Sequence, residues 1–71
     1  MKHNIGVNAG IIWHLLLEKG TLTIEKLEKL IEFERHELMM ALGWLMRENK
    51  IDFHHHGENL HVRLSDSNFY F

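Results

Sequence analysis

Apolar residues return every three or four positions through three stretches of the chain, and then every second position through a fourth. The first pattern is that of helices burying one face, and the second is that of a half-buried strand pair. Asn8 is a good N-cap for the first helix, its side chain free to accept from the Gly10 or Ile11 N–H. From there AGIIWHLLLEK runs to Gly20, a residue suited to the positive φ of a helix end. Thr21-Leu22-Thr23 is short and β-prone. Thr23 then caps a second helix, IEKLEKLI, whose apolar stripe is Ile24, Leu27, Leu30 and Ile31. Glu25 in its first turn suits the helix dipole. A third helix is predicted from near Glu34 to about Glu48, with a stripe of Leu38, Ala41, Leu42 and Leu45, and Asn49 and Lys50 end it.

The last pattern, IDFHHHGENLHVRL over residues 51–64, is a hairpin whose register is legible. With Gly57-Glu58 as the central residues of a tight turn, glycine first as a type II′ turn prefers, His56 faces Asn59 and His55 faces Leu60. Ile51 then meets Leu64 and Phe53 meets Val62 on the same side. Asp52 with Arg63, and His54 with His61, occupy the other side. A one-residue slip sets Phe53 against Arg63 and Asp52 against Leu64, so the alternation of faces selects one pairing. An Asp52–Arg63 cross-strand pair gives that pairing modest support. The three consecutive histidines belong to this hairpin and are no terminal tag.

Helix, short strand, helix, helix and hairpin is the order of an α+β winged helix-turn-helix domain, with the hairpin as its wing and a short first strand after helix one. Two stretches make the likeness specific. NAGIIWHLL (8–16) leads Asn-Ala-Gly into a helix with a Trp, and ALGWLMRENKIDF (41–53) closes the third helix with Ala-Leu-Gly-Trp-Leu before the wing. In these the chain resembles a small prokaryotic winged-helix family of unknown function, over nearly its whole length. The resemblance implies the fold and supplies no biochemical role. The terminal Phe69-Tyr70-Phe71 has no counterpart in that pattern.

Composition narrows the field. Seventy-one residues make one domain, 1–71, near the lower limit for folding without a staple. No cysteine is present, which excludes disulfide and thiolate–zinc frameworks and suits a cytoplasmic setting. The longest apolar run, Ile11 to Leu17, is broken by His14 and is too short to span a bilayer, and no secretion signal is evident.

Charge bears on the partner. The net charge is −2, unhelpful for holding a polyanion. Over residues 34–64, Arg35, Arg47, Lys50 and Arg63 stand against Glu34, Glu37, Glu48, Asp52 and Glu58, leaving that half at −1. Neutralising several phosphates normally takes a cluster of Lys and Arg. In helix-turn-helix proteins the second helix of the motif enters the major groove. Here its face opposite the core carries His36, Met40, Gly43 and Arg47, with Trp44 and Glu37 at the flank. The candidate contacts to double-stranded DNA are therefore Arg35, His36, Met40, Trp44, Arg47, Lys50 and Arg63, although Arg35 lies closer to the core side. The wing tip, Gly57-Glu58-Asn59, is acidic, and protonated histidines add positive charge only in mildly acidic solution.

A protein-interaction module, homodimeric in particular, is the competing expectation. In IIWHLLL six of seven residues are apolar, more than one helical face needs. Ile11, Trp13 and Leu17 are the candidate interface, with Met39, Met40 and Trp44 as a second patch. Catalysis is not expected. The chain has no glycine-rich phosphate loop, its histidine–carboxylate neighbours such as His36-Glu37 lie on a helix surface, and so small a domain has little room for a pocket of about 300 Å³ or more. No cofactor and no small-molecule substrate are expected. His54, His56 and His61 share the solvent face, yet no clear set of orienting partners surrounds them beyond Asp52, Arg63 and Asn59, so no metal site is assigned.

Overall fold

A computed structural model describes residues 4–65. Its elements run α1 (Ile5–Lys19), β1 (Leu22–Thr23), α2 (Ile24–Leu30), α3 (Arg35–Arg47), β2 (Ile51–His56) and β3 (Asn59–Leu64). The three strands form one antiparallel sheet in the order β1-β3-β2. Three helices with a terminal hairpin are the expected elements in the expected order.

One boundary moves. Asn4, not Asn8, caps α1, and its side chain accepts from the N–H groups of Gly6 and Val7 at 2.7 and 3.2 Å. Asn8 lies a turn inside the helix, its N–H donating to the Asn4 carbonyl, and is 3% exposed. The reason is that Asn8 is drawn onto the buried face with Ala9, Ile12 and Leu16, while Asn4 stays exposed and its side chain satisfies two first-turn N–H groups. At the other end Gly20 donates to the Leu16 carbonyl and holds φ 80°, ψ −153°. That region of backbone space is nearly closed to residues with a Cβ.

Thr23 ends β1 and caps α2, its hydroxyl accepting from the Lys26 N–H at 3.0 Å. Leu27 is the buried residue within α2, with Ile31 buried just beyond its end. Leu30, expected on the core stripe, instead faces outward and is 39% exposed. A helix of seven residues turns only one narrow face inward, and Leu27 with Ile31 fills it.

The α3 stripe is as expected: Leu38, Ala41, Leu42 and Leu45 are all buried. At its start Glu37 Oε1 accepts from the Glu34 N–H. At its end Lys50 N–H reaches the Leu45 carbonyl and Asn49 N–H the Met46 carbonyl, with Asn49 at φ 60°. This is the paired arrangement of a Schellman C-cap, which stops the helix and turns the chain into β2.

β2 and β3 pair in the predicted register, Ile51 with Leu64 through His56 with Asn59. Gly57 has φ 64° while Glu58 stays at negative φ, as a type II′ turn requires. Asp52 and Arg63 are register partners. β1 adds to the free edge of β3, Leu22 facing Val62 and Thr23 facing His61. The core is one cluster in which Ile12 and Leu16 of α1, Leu27 of α2, Leu38 and Leu42 of α3, and Ile51 and Val62 of the sheet are almost fully enclosed.

Candidate nucleic-acid interface

α2, the four residues 31–34 and α3 form a helix-turn-helix, and the hairpin follows α3 directly. His36, Met40, Gly43 and Arg47 recur at spacings of four, three and four, so they make one stripe opposite the buried one. All four are exposed, as is Trp44 at the edge of the stripe. A Cβ added at Gly43 would meet no atom within 4 Å, so the stripe is open at that position. An exposed arginine and histidine separated by methionine and glycine give two polar contacts at most to a groove floor.

The seven candidate contacts do not converge. His36, Met40 and Arg47 share the stripe with Trp44. Arg35 leaves it: its Nη1 pairs with Glu28 Oε2 of α2, the carboxylate half-covered and the guanidinium 70% exposed. In solvent such a pair is worth well under 1 kcal/mol, yet it sets a carboxylate beside the cation and cancels its local field. His36 Nδ1 sits 3.3 Å from Glu34 Oε1. Lys50 Nζ stands 5.7 Å from the centre of the Trp13 ring, on the α1 side of the molecule. Arg63 is on the outer face of the hairpin.

The interface candidates also separate. Trp13 is partly buried and packs against the core, its indole Nε1 buried without a hydrogen-bond partner. Ile11 and Leu17 are exposed but, six residues apart, point about 120° away from each other. More exposed apolar surface lies on and around α3, where Met39, Met40, Trp44 and Met46 are 40–51% exposed.

The expectation of no sizeable pocket is corrected. A half-open cavity of about 490 Å³ lies between α2, α3 and the hairpin. Its apolar part is Ile24, Met39, Leu42, Phe53 and Leu60, and its rim carries Glu25, Glu58 and the Glu28–Arg35 pair. Phe53 keeps the predicted face but lines this groove and is 38% exposed. Gly43 at the wall and the shortness of α2 leave the space, and neither alters the apolar periodicity from which a core is read.

A helix-turn-helix followed by a hairpin that pairs with β1 in a three-stranded sheet defines a winged helix-turn-helix domain. The chain belongs to the family described as winged helix-turn-helix domain (DUF2582), which matches residues 1–64. It is similar to the uncharacterized protein MJ1608 of Methanocaldococcus jannaschii, 44% identical over 50 residues, covering 66% of this chain and 70% of that protein. No solved structure matches the chain significantly. Winged helix-turn-helix domains are typically non-catalytic modules and commonly bind DNA. No helix among the described residues is long and apolar enough to cross a membrane.

Proposed function

We propose that this domain is a non-catalytic regulatory module of the cytoplasm that binds double-stranded DNA through α3. The observation that carries this reading is the exposed outer stripe of α3, with Arg47 as its groove-reading cation, Met40 and Trp44 as its apolar contacts and His36 at its N-terminal end. Arg63 on the hairpin supplies a phosphate contact in this reading, and Lys50 adds another only on leaving the Trp13 ring. Glu28 and Glu58 oppose them, so a single copy makes only about two or three phosphate contacts. Binding by one copy is accordingly weak and only moderately salt-dependent, with a slope of log affinity against log salt of roughly −2 to −3.

The test is an NMR titration of the labelled protein with a mixed-sequence duplex at low salt, repeated at higher salt. Salt-sensitive shifts on residues 35–47 and on the hairpin support the proposal. Amides of α3 that stay still at low salt refute it.

A second reading has its own observation. The apolar groove, together with Met39, Met40 and Trp44, suits a protein partner, and a second copy of this chain is the simplest one. Here the expected signature is a mass that rises with protein concentration and is insensitive to DNA, measured by light scattering. A mass that stays that of one chain at all concentrations removes the homodimer.

A further inference from the structure

The inner face of the hairpin is covered at one strand and open at the next. Phe53 and Val62 are register partners, so their side chains stand side by side on the face turned toward the helices. Val62 is fully buried, yet Phe53 is 38% exposed. Nearer the turn on the same face, Leu60 is half-buried. The helices therefore close over β3 and leave the outer half of β2 uncovered, and there the cavity of about 490 Å³ opens. Its apolar walls are Phe53 and Leu60 of the hairpin, Met39 and Leu42 of α3 and Ile24 of α2. A slot of roughly 300–1,000 Å³ with apolar walls and a few polar groups is the usual form of a small-molecule site.

The rim selects the kind of molecule. Glu25, Glu28 and Glu58 stand against Arg35 alone, three carboxylates to one guanidinium, a net of −2. Glu28 is paired with Arg35, so those two charges largely cancel. Glu25 on α2 and Glu58 at the hairpin turn have no ion-pair partner among the described residues. Two uncompensated carboxylates, carried by two different elements, thus border one apolar slot.

We propose that this slot binds a small organic cation, an aromatic or branched apolar body that carries a protonated amine. The body lies against Phe53, Leu60, Met39 and Leu42, and the ammonium group faces Glu25 and Glu58. Methionine adapts its shape to a flat ring, and the face of Phe53 attracts a cation as well. Size favours a small molecule over a helix of another protein. A sphere of 490 Å³ is about 10 Å across, whereas a helix with its side chains is about 10–12 Å wide. Seated there, the ligand touches α2, α3 and the hairpin at once, and so ties the hairpin to α3. The inference does not depend on DNA binding.

The probes are tryptamine, tryptophol and indole-3-acetate, which share an indole ring and carry a cationic, a neutral and an anionic head. Each is titrated at low salt into the full chain, labelled on its backbone nitrogens and methionine methyl groups, and followed by NMR. Saturable shifts are expected at Met39, Gly43, Phe53 and Leu60. Tryptamine should bind tightest and indole-3-acetate weakest, each step being about two- to fivefold, the size expected of exposed charges. Added salt should narrow these ratios. Glu25→Gln and Glu58→Gln, both at exposed positions, should each weaken tryptamine by about two- to fivefold and leave tryptophol unchanged. Gly43→Leu adds a side chain to the slot wall, where a Cβ meets no atom within 4 Å. Leucine also favours a helix more than glycine does, so this variant should lose binding of all three probes while its thermal midpoint does not fall. No saturable shift with tryptamine, equal affinity for the three probes, or shifts centred outside the slot would each overturn the proposal. Shifts of the slot residues with protein concentration alone would overturn it too, and would assign the slot to a second copy.

Discussion

Replacing Leu27 by Ala tests whether α2 is held to the domain by one side chain. Leu27 is fully buried, and it is the buried residue within a helix of seven. A helix so short has no independent stability, so its place depends on the Thr23 cap and on what it buries. Truncation removes three carbons from the core at about 0.8 kcal/mol each, or roughly 2.4 kcal/mol. The space left behind adds to this because the packed neighbours relax only in part, giving about 3 kcal/mol in total. A domain of this length has about 3–10 kcal/mol of stability in all, so the variant loses a large share of it. The assay is urea unfolding followed by tryptophan fluorescence and circular dichroism. With a slope near 1 kcal/mol per molar, the midpoint should fall by about 3 M, or the chain should be unfolded without denaturant. Leu30→Ala, three residues away but 39% exposed, should cost less than about 1 kcal/mol. Equal effects at the two positions, or a loss under 1 kcal/mol at Leu27, would show that α2 is not anchored as described.

Further outcomes are expected at four other positions. Gly20→Ala should destabilise by about 1–3 kcal/mol, since φ 80°, ψ −153° is nearly closed to alanine; thermal unfolding measures it, and an unchanged midpoint refutes it. Thr23→Ala removes the α2 cap and should cost about 1 kcal/mol, read by the same urea curves, with Thr23→Ser retaining most of the wild-type stability. Arg47→Ala should weaken binding to every duplex tested by a similar factor and reduce the salt slope by about one if the residue contacts phosphate, or relax sequence preference if it reads a base; fluorescence anisotropy distinguishes these, and an unaltered affinity removes Arg47 from the interface. Glu28→Gln should strengthen DNA binding at low salt, because it deletes the carboxylate beside Arg35, and no gain would place Arg35 outside the interface.

The fold was legible where burial and backbone chemistry agree. The α3 stripe Leu38, Ala41, Leu42, Leu45 and the hairpin register both rest on alternation strong enough to exclude a shift by one residue, and Gly20, Thr23 and Gly57 each suit one backbone role. The start of α1 was less legible because Asn4 and Asn8 are equally good caps by residue type, and Gly6 and Gly10 in the first turns weaken the local helical signal. What decides between them is that Asn8 is buried beside Ala9, Ile12 and Leu16, which leaves the exposed Asn4 to accept from the first-turn N–H groups. Leu30 was misplaced for a related reason: its spacing from Leu27 fits a stripe, but the stripe on so short a helix has room for only one full side chain before Ile31 completes it.

The candidate site was legible as a list and not as a place. Spacing alone puts His36, Met40, Gly43 and Arg47 on one stripe of α3. Nothing in the local pattern says that Arg35 turns back to Glu28, seven residues earlier and on the preceding helix, or that Lys50 lies over Trp13 from α1. Both contacts join positions on different elements, and both draw a cation away from the exposed stripe. A formal count of four basic residues over 34–64 therefore overstates the positive charge available to one surface. Arg47 remains on the stripe and Arg63 on the hairpin, some way from each other. A second copy would double those contacts on one duplex, so DNA binding and self-association need not be rivals in this chain. Their coupling is directly measurable: if paired copies bind DNA better than single ones, duplex binding should steepen with protein concentration, and a simple one-site curve would separate the two properties.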